Sequence, residues 1–594
     1  MRNRTSERAA PSTLTGMWAQ MVERQPDALA VRDDDTDLSY AELDAFSDAV
    51  ARVLLVAGVC PEDRVALHLK RGVGVFAAIL GVLKAGGAYV AIDPRYPSAR
   101  RDMMIEQSGA QVVLTEPDWI GSIQAATILA LPSAESGPGA PLPPASVLPK
   151  SAACVLFTSG SAGTPKATVL EHHSMAAFAR NSALPALTPQ DRVGQISSLS
   201  FDAFHYEMWT ALAYGAQIVV LPSLTDLLAA DLQGSLRRLR ITAMLVPTMA
   251  VNHLVKEDRD AFSPLRILHT GGDVILADTC RNLRRGAFTG RLFNLYGPTE
   301  ATTACTAFEV HRLPPEADNV PIGHALEGAV VYVLNEDLQP VESALTGQLF
   351  VGGTGVARGY LGNPGLTAER FLPNPFRADG SRMYATGDLV RQRSDGEIEF
   401  IGRADHQIKV RGYRVEPGEV ERLLCRHEEV GDAAVLACGH GQDRTLVAFV
   451  VRRGGLQPDE LRAFASKTIP DYMIPSTIMI VPTIPATDHG KRDWKALQDL
   501  WAFERVRARA YVAPASDGER ILAGIWARLM SLETVGAADD FFAVGGNSML
   551  AFRVRQRVKR ETGVEMDFRD ILARPVLRDL AELLEASMQK AVRA

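Results

Sequence analysis

Hydrophobic positions along the first third of the chain recur with two different periods. Behind Ser39-Tyr-Ala-Glu42, the residues Leu43, Phe46, Val50, Val53 and Ala57 repeat at helical spacing. Ser39 and Glu42 form a capping box, each side chain answering an unpaired amide near the other, and Gly58 is the predicted stop. Residues 64–69 predict a strand, 75–85 a helix, and 88–92 a strand ended by Asp93-Pro94. Short apolar runs at 111–114, 217–221, 265–269 and 291–295 alternate with helical windows. This βαβ rhythm predicts mainly parallel sheets covered by helices.

Two stretches break the rhythm. Residues 132–149 hold six prolines among Gly, Ser and Ala without periodicity, which predicts a loop or linker. Near 501–516 a basic, helical-looking run (Arg505, Arg507, Arg509) leads into Tyr511-Val-Ala-Pro514. Beyond it, Ser516-Asp-Gly-Glu519 is a second capping box, and Ile521, Leu522, Ile525, Trp526 and Leu529 mark an amphipathic helix. The last stretch of the chain therefore predicts a small, separate, all-helical module.

With 594 residues the chain is too long for one ordinary domain, and 47% hydrophobic with 22% charged residues is globular usage. The net charge of −7 lacks the basic footprint of a nucleic-acid binder. Six cysteines lie at least 13 residues apart with no C-x-x-C pair, so neither a disulfide framework nor a zinc site is indicated and a reducing cytosol fits. The polar N-terminus has no apolar segment behind it. The longest apolar stretch, 73–83, stops at Lys84, short of the ~20 residues of a membrane span. A soluble, cytoplasmic protein with no membrane contact is expected.

The densest chemistry lies in Val155-Leu-Phe-Thr-Ser-Gly-Ser-Ala-Gly-Thr-Pro-Lys166, where an apolar strand enters a loop of hydroxyls and glycines ending in lysine. Glycines let backbone amides converge on an anion, hydroxyls add donors, and the lysine adds charge. Pro165 stands where a Walker A loop needs glycine. A flexible Ser/Gly turn is the plain alternative. Near the other end, Gly545-Gly546 allow a sharp turn into a helix with Ser548 at its start and Leu550, Ala551, Val554 and Val558 as its apolar positions. An ordinary N-cap serine is the alternative there.

Residues 155–166 resemble the phosphate loop of adenylate-forming enzymes, and further segments follow in that family's order. They are Leu83-Lys-Ala-Gly-Gly-Ala-Tyr-Val-Ala-Ile-Asp-Pro94, Phe201-Asp202, Asn294-Leu-Tyr-Gly-Pro-Thr-Glu300, the stretch 347–361 and Tyr384-Ala-Thr-Gly-Asp-Leu389. The stretch 402–412, Pro470-Asp-Tyr-Met-Ile-Pro475 and Gly490-Lys491 complete the series. Over roughly 14–500 the chain resembles the amino-acid-activating adenylation domain of nonribosomal peptide synthetases. Asp540-Phe-Phe-Ala-Val-Gly-Gly-Asn-Ser548 resembles the phosphopantetheine attachment motif of a peptidyl carrier domain.

The resemblance implies an α/β adenylation core of mainly parallel layers over 1–404, a smaller, mobile α+β C-terminal subdomain over 405–500, a linker over 501–515 and an all-α four-helix carrier over 516–594. It implies ATP and Mg²⁺ as requirements, 4'-phosphopantetheine on Ser548, and an amino acid activated as its adenylate and then loaded as a thioester. A phosphopantetheinyl transferase using CoA and a downstream condensation or other synthetase domain in trans are the implied partners. A standalone acyl- or aryl-CoA ligase is the alternative.

Residue by residue, the resemblance assigns catalysis to Lys491, Thr299 and the Mg²⁺ ligand Glu300. Thr158, Ser159, Gly160, Ser161, Gly163, Thr164 and Lys166 form the phosphate loop. Gly272, Asn294, Tyr296, Asp388 and Arg403 face the nucleotide. Asp202 pairs with the substrate ammonium, and Ala203, Tyr206, Leu245, His269, Gly271, Leu295, Thr303 and Ala304 line the pocket in a pattern resembling aliphatic, valine-like lining. His269 either reads a polar group or is satisfied by a backbone carbonyl. Asp405 matches the hinge about which Lys491 would withdraw between the two half-reactions. Three positions depart from the family: Ala162, Ala167 and His489 stand for its threonine, glycine and asparagine.

Overall fold

The computed structural model describes residues 12–593 apart from 126, 135–141, 144–146, 161–163, 230, 315, 405–406, 411–412, 440–443, 488–491, 508–510, 531, 542–543, 545, 547, 568–569 and 572–573. The chain divides into two compact units: one holds 1–160, 164–223 and 232–414, the other 161–163, 224–231 and 415–594.

Among the described residues, the first unit is built on three sheets. In the largest, the strands Leu29–Arg32, Gln217–Val220, Arg192–Gln195, Ala243–Pro247, Ile267–Gly271 and Arg291–Tyr296 run parallel, and antiparallel partners close both edges. In the second, Ala152–Thr158, Ala88–Ala91, Arg64–His68, Val112–Thr115 and Thr127–Ala130 are parallel. The third sheet, centred on Thr346–Gly353 and Arg382–Gln392, is antiparallel. The expected α/β core of parallel layers is present, and each run read as a strand in the sequence lies within two residues of an observed one.

One apolar core joins the first two sheets, from Val31, Val193 and Ile218 in one to Val65, Tyr89 and Leu156 in the other. The helix Val73–Lys84, buried almost all round, lies within it beside Tyr40–Val56. The Ser39/Glu42 capping box forms as predicted. Such continuous apolarity is what a helix covered on every side requires.

In the second unit, Val430–Cys438 pairs antiparallel with Thr445–Arg452, which pairs parallel with Thr477–Ile480. The helix Trp494–Arg507 sets Leu497 against this sheet, so the basic run at 505–507 is helical. The carrier segment contains the helices Asp517–Met530, Ser548–Thr562 and Leu577–Arg593 around a separate core. The stretch 568–573, after these first two helices, is only partly described. The capping box holds: Glu519 N–H donates to Ser516 Oγ at 3.1 Å and Ser516 N–H to Glu519 Oε2 at 3.2 Å. Leu550, Ala551, Val554 and Val558 are all buried, as their spacing predicts. No described helix is long and apolar enough to cross a membrane.

Candidate active site

The loop read as phosphate-binding leaves the strand Ala152–Thr158 and returns as Lys166–Glu171, antiparallel, with Thr158 opposite Lys166. Gly160 is required by space: a Cβ there would stand 1.8 Å from the Thr164 carbonyl oxygen. Thr158 Oγ1 is buried without a partner among the described residues, Lys166 is buried rather than projecting into water, and Thr164 is exposed. Ser161 and Gly163 lie outside the described residues, as do Lys491 and Asp405, the residue matched to the hinge in the sequence.

Glu300 sits in the 3-10 turn Thr299–Ala301, just past the parallel strand that ends at Tyr296. It is fully buried. Its Oε1 accepts from the Tyr360 hydroxyl at 2.7 Å and its Oε2 from Arg414 Nη1 at 2.9 Å. Burial is the largest single influence and would raise this carboxyl, but the Arg414 charge, the Tyr360 hydroxyl, a backbone hydrogen bond and the Lys166 charge together outweigh it and hold the pKa at about 2. Arg414 also reaches the loop after Thr158, where its backbone carbonyl accepts from Ser159 Oγ at 2.8 Å. One residue thus bridges loop and carboxylate. The sequence reading missed Arg414 and Tyr360, although the first lies two positions past the 402–412 segment and the second inside 347–361. Neither position says what its side chain will meet.

Thr299 and Thr303 converge on Asp202. Thr299 Oγ1 donates to Asp202 Oδ2 at 2.6 Å, and Thr303 Oγ1 to the Asp202 backbone carbonyl at 3.1 Å. The Asp202 side chain makes no helix-capping hydrogen bond, so capping does not explain it. Burial, partly offset by Thr299 and reinforced by the Glu300 charge, holds its pKa above the ordinary carboxylate range. Thr299 therefore touches the carboxylate read as the ammonium partner.

Asp388 and Arg403 face each other across adjacent antiparallel strands, with Arg403 Nη1 2.5 Å from Asp388 Oδ1. The Tyr296 hydroxyl donates to the other carboxylate oxygen. Tyr296 is buried in an apolar cluster with Cys305 and Val351, so packing shares this ring with any role toward a base. The Asn294 amide donates to the Pro321 carbonyl at 2.8 Å. Gly272 follows the strand Ile267–Gly271 directly.

The predicted pocket residues come together. Tyr206, Leu245, Leu295 and Ala304 belong to one apolar cluster with Phe178 and Phe293, and Ala203 packs against it. Leu245, His269 and Phe293 are register partners on three parallel strands, as are Gly271 and Leu295. The helical stretch after Asp202 carries a π-turn over Tyr206–Thr210, a departure common at functional sites. His269 does not find the backbone carbonyl considered for it: both ring nitrogens are buried without partners among the described residues.

In the carrier segment, Ser548 is the first residue of its helix, while its side chain is not among those described. Gly546 is fixed by packing, because a Cβ would lie 2.4 Å from the Phe541 carbonyl oxygen. Phe541 and Trp526 meet edge to face beneath this turn at 4.9 Å.

Comparison with known proteins follows the same order along the chain. The family model "AMP-binding enzyme" matches residues 18–361, "AMP-binding enzyme C-terminal domain" 419–491, and "Phosphopantetheine attachment site" 520–584. Gramicidin S synthase 2 of Aneurinibacillus migulanus is 36% identical over 579 residues, 96% of this chain and 13% of that protein. Surfactin synthase subunit 1 of Bacillus subtilis (strain 168) is 34% identical over 588 residues, 98% of this chain and 16% of its own. The chain therefore spans less than a fifth of either relative. Among solved structures, holo-PA1221, an NRPS protein containing adenylation and PCP domains bound to a vinylsulfonamide inhibitor, is 27% identical with a TM-score of 0.81, covering 97% of each chain. A Gly- and Ser-rich loop beside a buried carboxylate, followed by a helix headed by a serine, agrees with those matches: the chain belongs to the AMP-binding enzymes, in the adenylation-plus-carrier arrangement of nonribosomal peptide synthetases.

Proposed function

We propose that this chain activates an amino acid with ATP, releasing pyrophosphate, and passes the acyl group to a phosphopantetheine thiol on its own Ser548. The proposed limits are 1–404 for the adenylation core, 405–500 for its mobile subdomain, 501–515 for the linker and 516–594 for the carrier. The observation that carries the reading is the Asp202 carboxylate, held by Thr299 one residue from Glu300 and one residue before the apolar pocket wall. A substrate ammonium would supply the cation that this enclosed acid lacks.

Bringing a carboxylate onto a phosphate joins two anions, and fixed cations and donors offset the repulsion. Ser159, Thr158, Thr164 and Lys166 would hold the phosphates, with Ser161, Gly160 and Gly163 completing the loop. Asp388 with Arg403 would orient the ribose, Tyr296, Asn294 and Gly272 would flank the base, and Lys491 would steady the reacting carboxylate before Asp405 lets it withdraw. Glu300 fits Mg²⁺ by its chemistry, being one ionised carboxylate beside a phosphate-holding loop, the kind of single ligand that Mg²⁺ shares with substrate phosphates. Mg²⁺ there would neutralise phosphate charge. Gly546 fits the carrier role, since the turn it permits heads a helix whose opposite face is buried.

The finer reading is a compact, valine-like side chain, supported by the aliphatic lining from Leu245, Leu295, Ala203 and Ala304. The proposed partners are a phosphopantetheinyl transferase and a downstream synthetase domain in trans, with no nucleic acid or membrane, in the cytoplasm.

Intact-protein mass spectrometry tests the whole sequence. Treatment with CoA and a phosphopantetheinyl transferase should add one phosphopantetheinyl mass, and ATP, Mg²⁺ and an amino-acid mixture should then add one aminoacyl mass. Ser548→Ala should abolish both gains while pyrophosphate exchange continues. A gain that persists in Ser548→Ala places the arm elsewhere, and acyl transfer to free CoA without any gain favours a standalone ligase.

A further inference from the structure

The pocket lining contains four polar side chains among the residues named above, and they divide cleanly. Asp202 accepts from Thr299, and Thr303 donates to the Asp202 carbonyl. Tyr206 and His269 are different: the tyrosine hydroxyl and both imidazole nitrogens are buried with no hydrogen-bond partner among the described residues. Their rings meet edge to face with centroids 4.7 Å apart, so three unsatisfied polar atoms are gathered in one place.

Their position ties them to the proposed substrate. His269 stands between Leu245 and Phe293 in register on the three parallel strands, which puts the three residues on one face of the sheet. Tyr206 follows Asp202 by four residues in a helical stretch, so hydroxyl and carboxylate occupy the same side of that helix. A core filled only for packing would use phenylalanine or leucine at both places. Unpaired buried polar groups are costly, and a ligand that supplies the missing partners is a common reason for keeping them.

We propose that the pocket takes an amino acid whose uncharged side chain carries a hydrogen-bonding group, a hydroxyl being the simplest, received by Tyr206 and His269. This rests on the amino-acid-activating reading above: it keeps a side chain held by the aliphatic lining and adds a polar tip to it. The neutral imidazole offers one donor and one acceptor on different sides of the ring, and the phenol can donate or accept, so a substrate hydroxyl would pair with the phenol and with one of the two ring nitrogens. A charged tip is disfavoured, because the named lining has no charged side chain besides Asp202, and burial keeps the His269 imidazole neutral.

A site that hydrogen-bonds a substrate hydroxyl rejects the analogue lacking it by ~10⁴-fold or more, whereas an apolar pocket separates such isosteres by only ~10²-fold. The test is ATP–pyrophosphate exchange by the full chain with isosteric pairs: threonine against valine, asparagine against leucine, tyrosine against phenylalanine. In the pair that fits, the polar member should lead in kcat/KM by at least ~100-fold. Tyr206→Phe and His269→Leu should each shrink that ratio tenfold or more, chiefly by raising KM for the polar member. Both should melt at or above the parent temperature, since each removes an unpaired buried group. The proposal is overturned if the apolar member leads in every pair, if the ratio survives both substitutions, or if both variants melt far below the parent. Exchange with none of the amino acids would instead refute the amino-acid-activating reading, and the pocket proposal with it.

Discussion

Asp202→Asn is expected to raise KM for the amino acid by roughly 30-fold to several thousand-fold, the ~2–5 kcal/mol that truncating one member of an enclosed charge pair costs. The substitution keeps shape and the Thr299 contact, since an amide oxygen still accepts from the hydroxyl at the present 2.6 Å. What it removes is the charge that answers an ammonium. The loss should therefore be specific: the corresponding acid without its amine, poorly used by the parent, should be rejected less strongly by the variant. The raised pKa of Asp202 adds a pH signature with a definite sign. The ionised form binds the ammonium, so affinity should fade on the acid side at a higher pH than an ordinary aspartate would give. Pyrophosphate exchange across pH, with the amine and des-amino substrates in parallel, measures both effects. A KM within twofold of the parent would remove Asp202 from substrate binding.

Arg414→Met should be the most damaging change to the core itself. Glu300 is fully buried and ionised, and in its described hydrogen bonds only the Tyr360 hydroxyl would remain to it. Breaking a buried ion pair from one side costs about 3–5 kcal/mol, because the stranded charge has lost its compensation. The melting temperature of the adenylation core should fall by several degrees. Removing the charge as well should restore most of it: Arg414→Met with Glu300→Gln should melt well above Arg414→Met alone, a coupling that a double-mutant cycle reads directly. Calorimetry of the four proteins checks this. Unaltered melting in Arg414→Met would mean that the pair contributes nothing to the fold.

Arg414 also shows where sequence reading stops. Its guanidinium spans to Glu300, 114 positions earlier, and its carbonyl to Ser159, 255 positions earlier. No local periodicity encodes such a meeting. His269 gives the same lesson with the opposite sign. The sequence left open a backbone carbonyl as its partner, but the strand that carries it is paired on both sides, so the neighbouring backbone groups are committed to the sheet ladders. Its nitrogens are left facing side chains, and none of those pairs with them.

What the sequence alone determined was local or ordered along the chain. The capping boxes at Ser39 and Ser516, the buried helix Val73–Lys84, the parallel-sheet rhythm and the buried face of the carrier helix all follow from spacings of a few residues. Hydrogen bonds and apolar stripes within one element depend on neighbours in sequence, so the letters suffice. The tertiary structure decided which side chains share a charge or lack a partner: Glu300 with Arg414, Asp202 with Thr299, Tyr206 beside His269. Those pairings are set by how sheets and crossovers bring distant segments together. Their energies depend on burial, which a residue acquires only once the chain around it has closed.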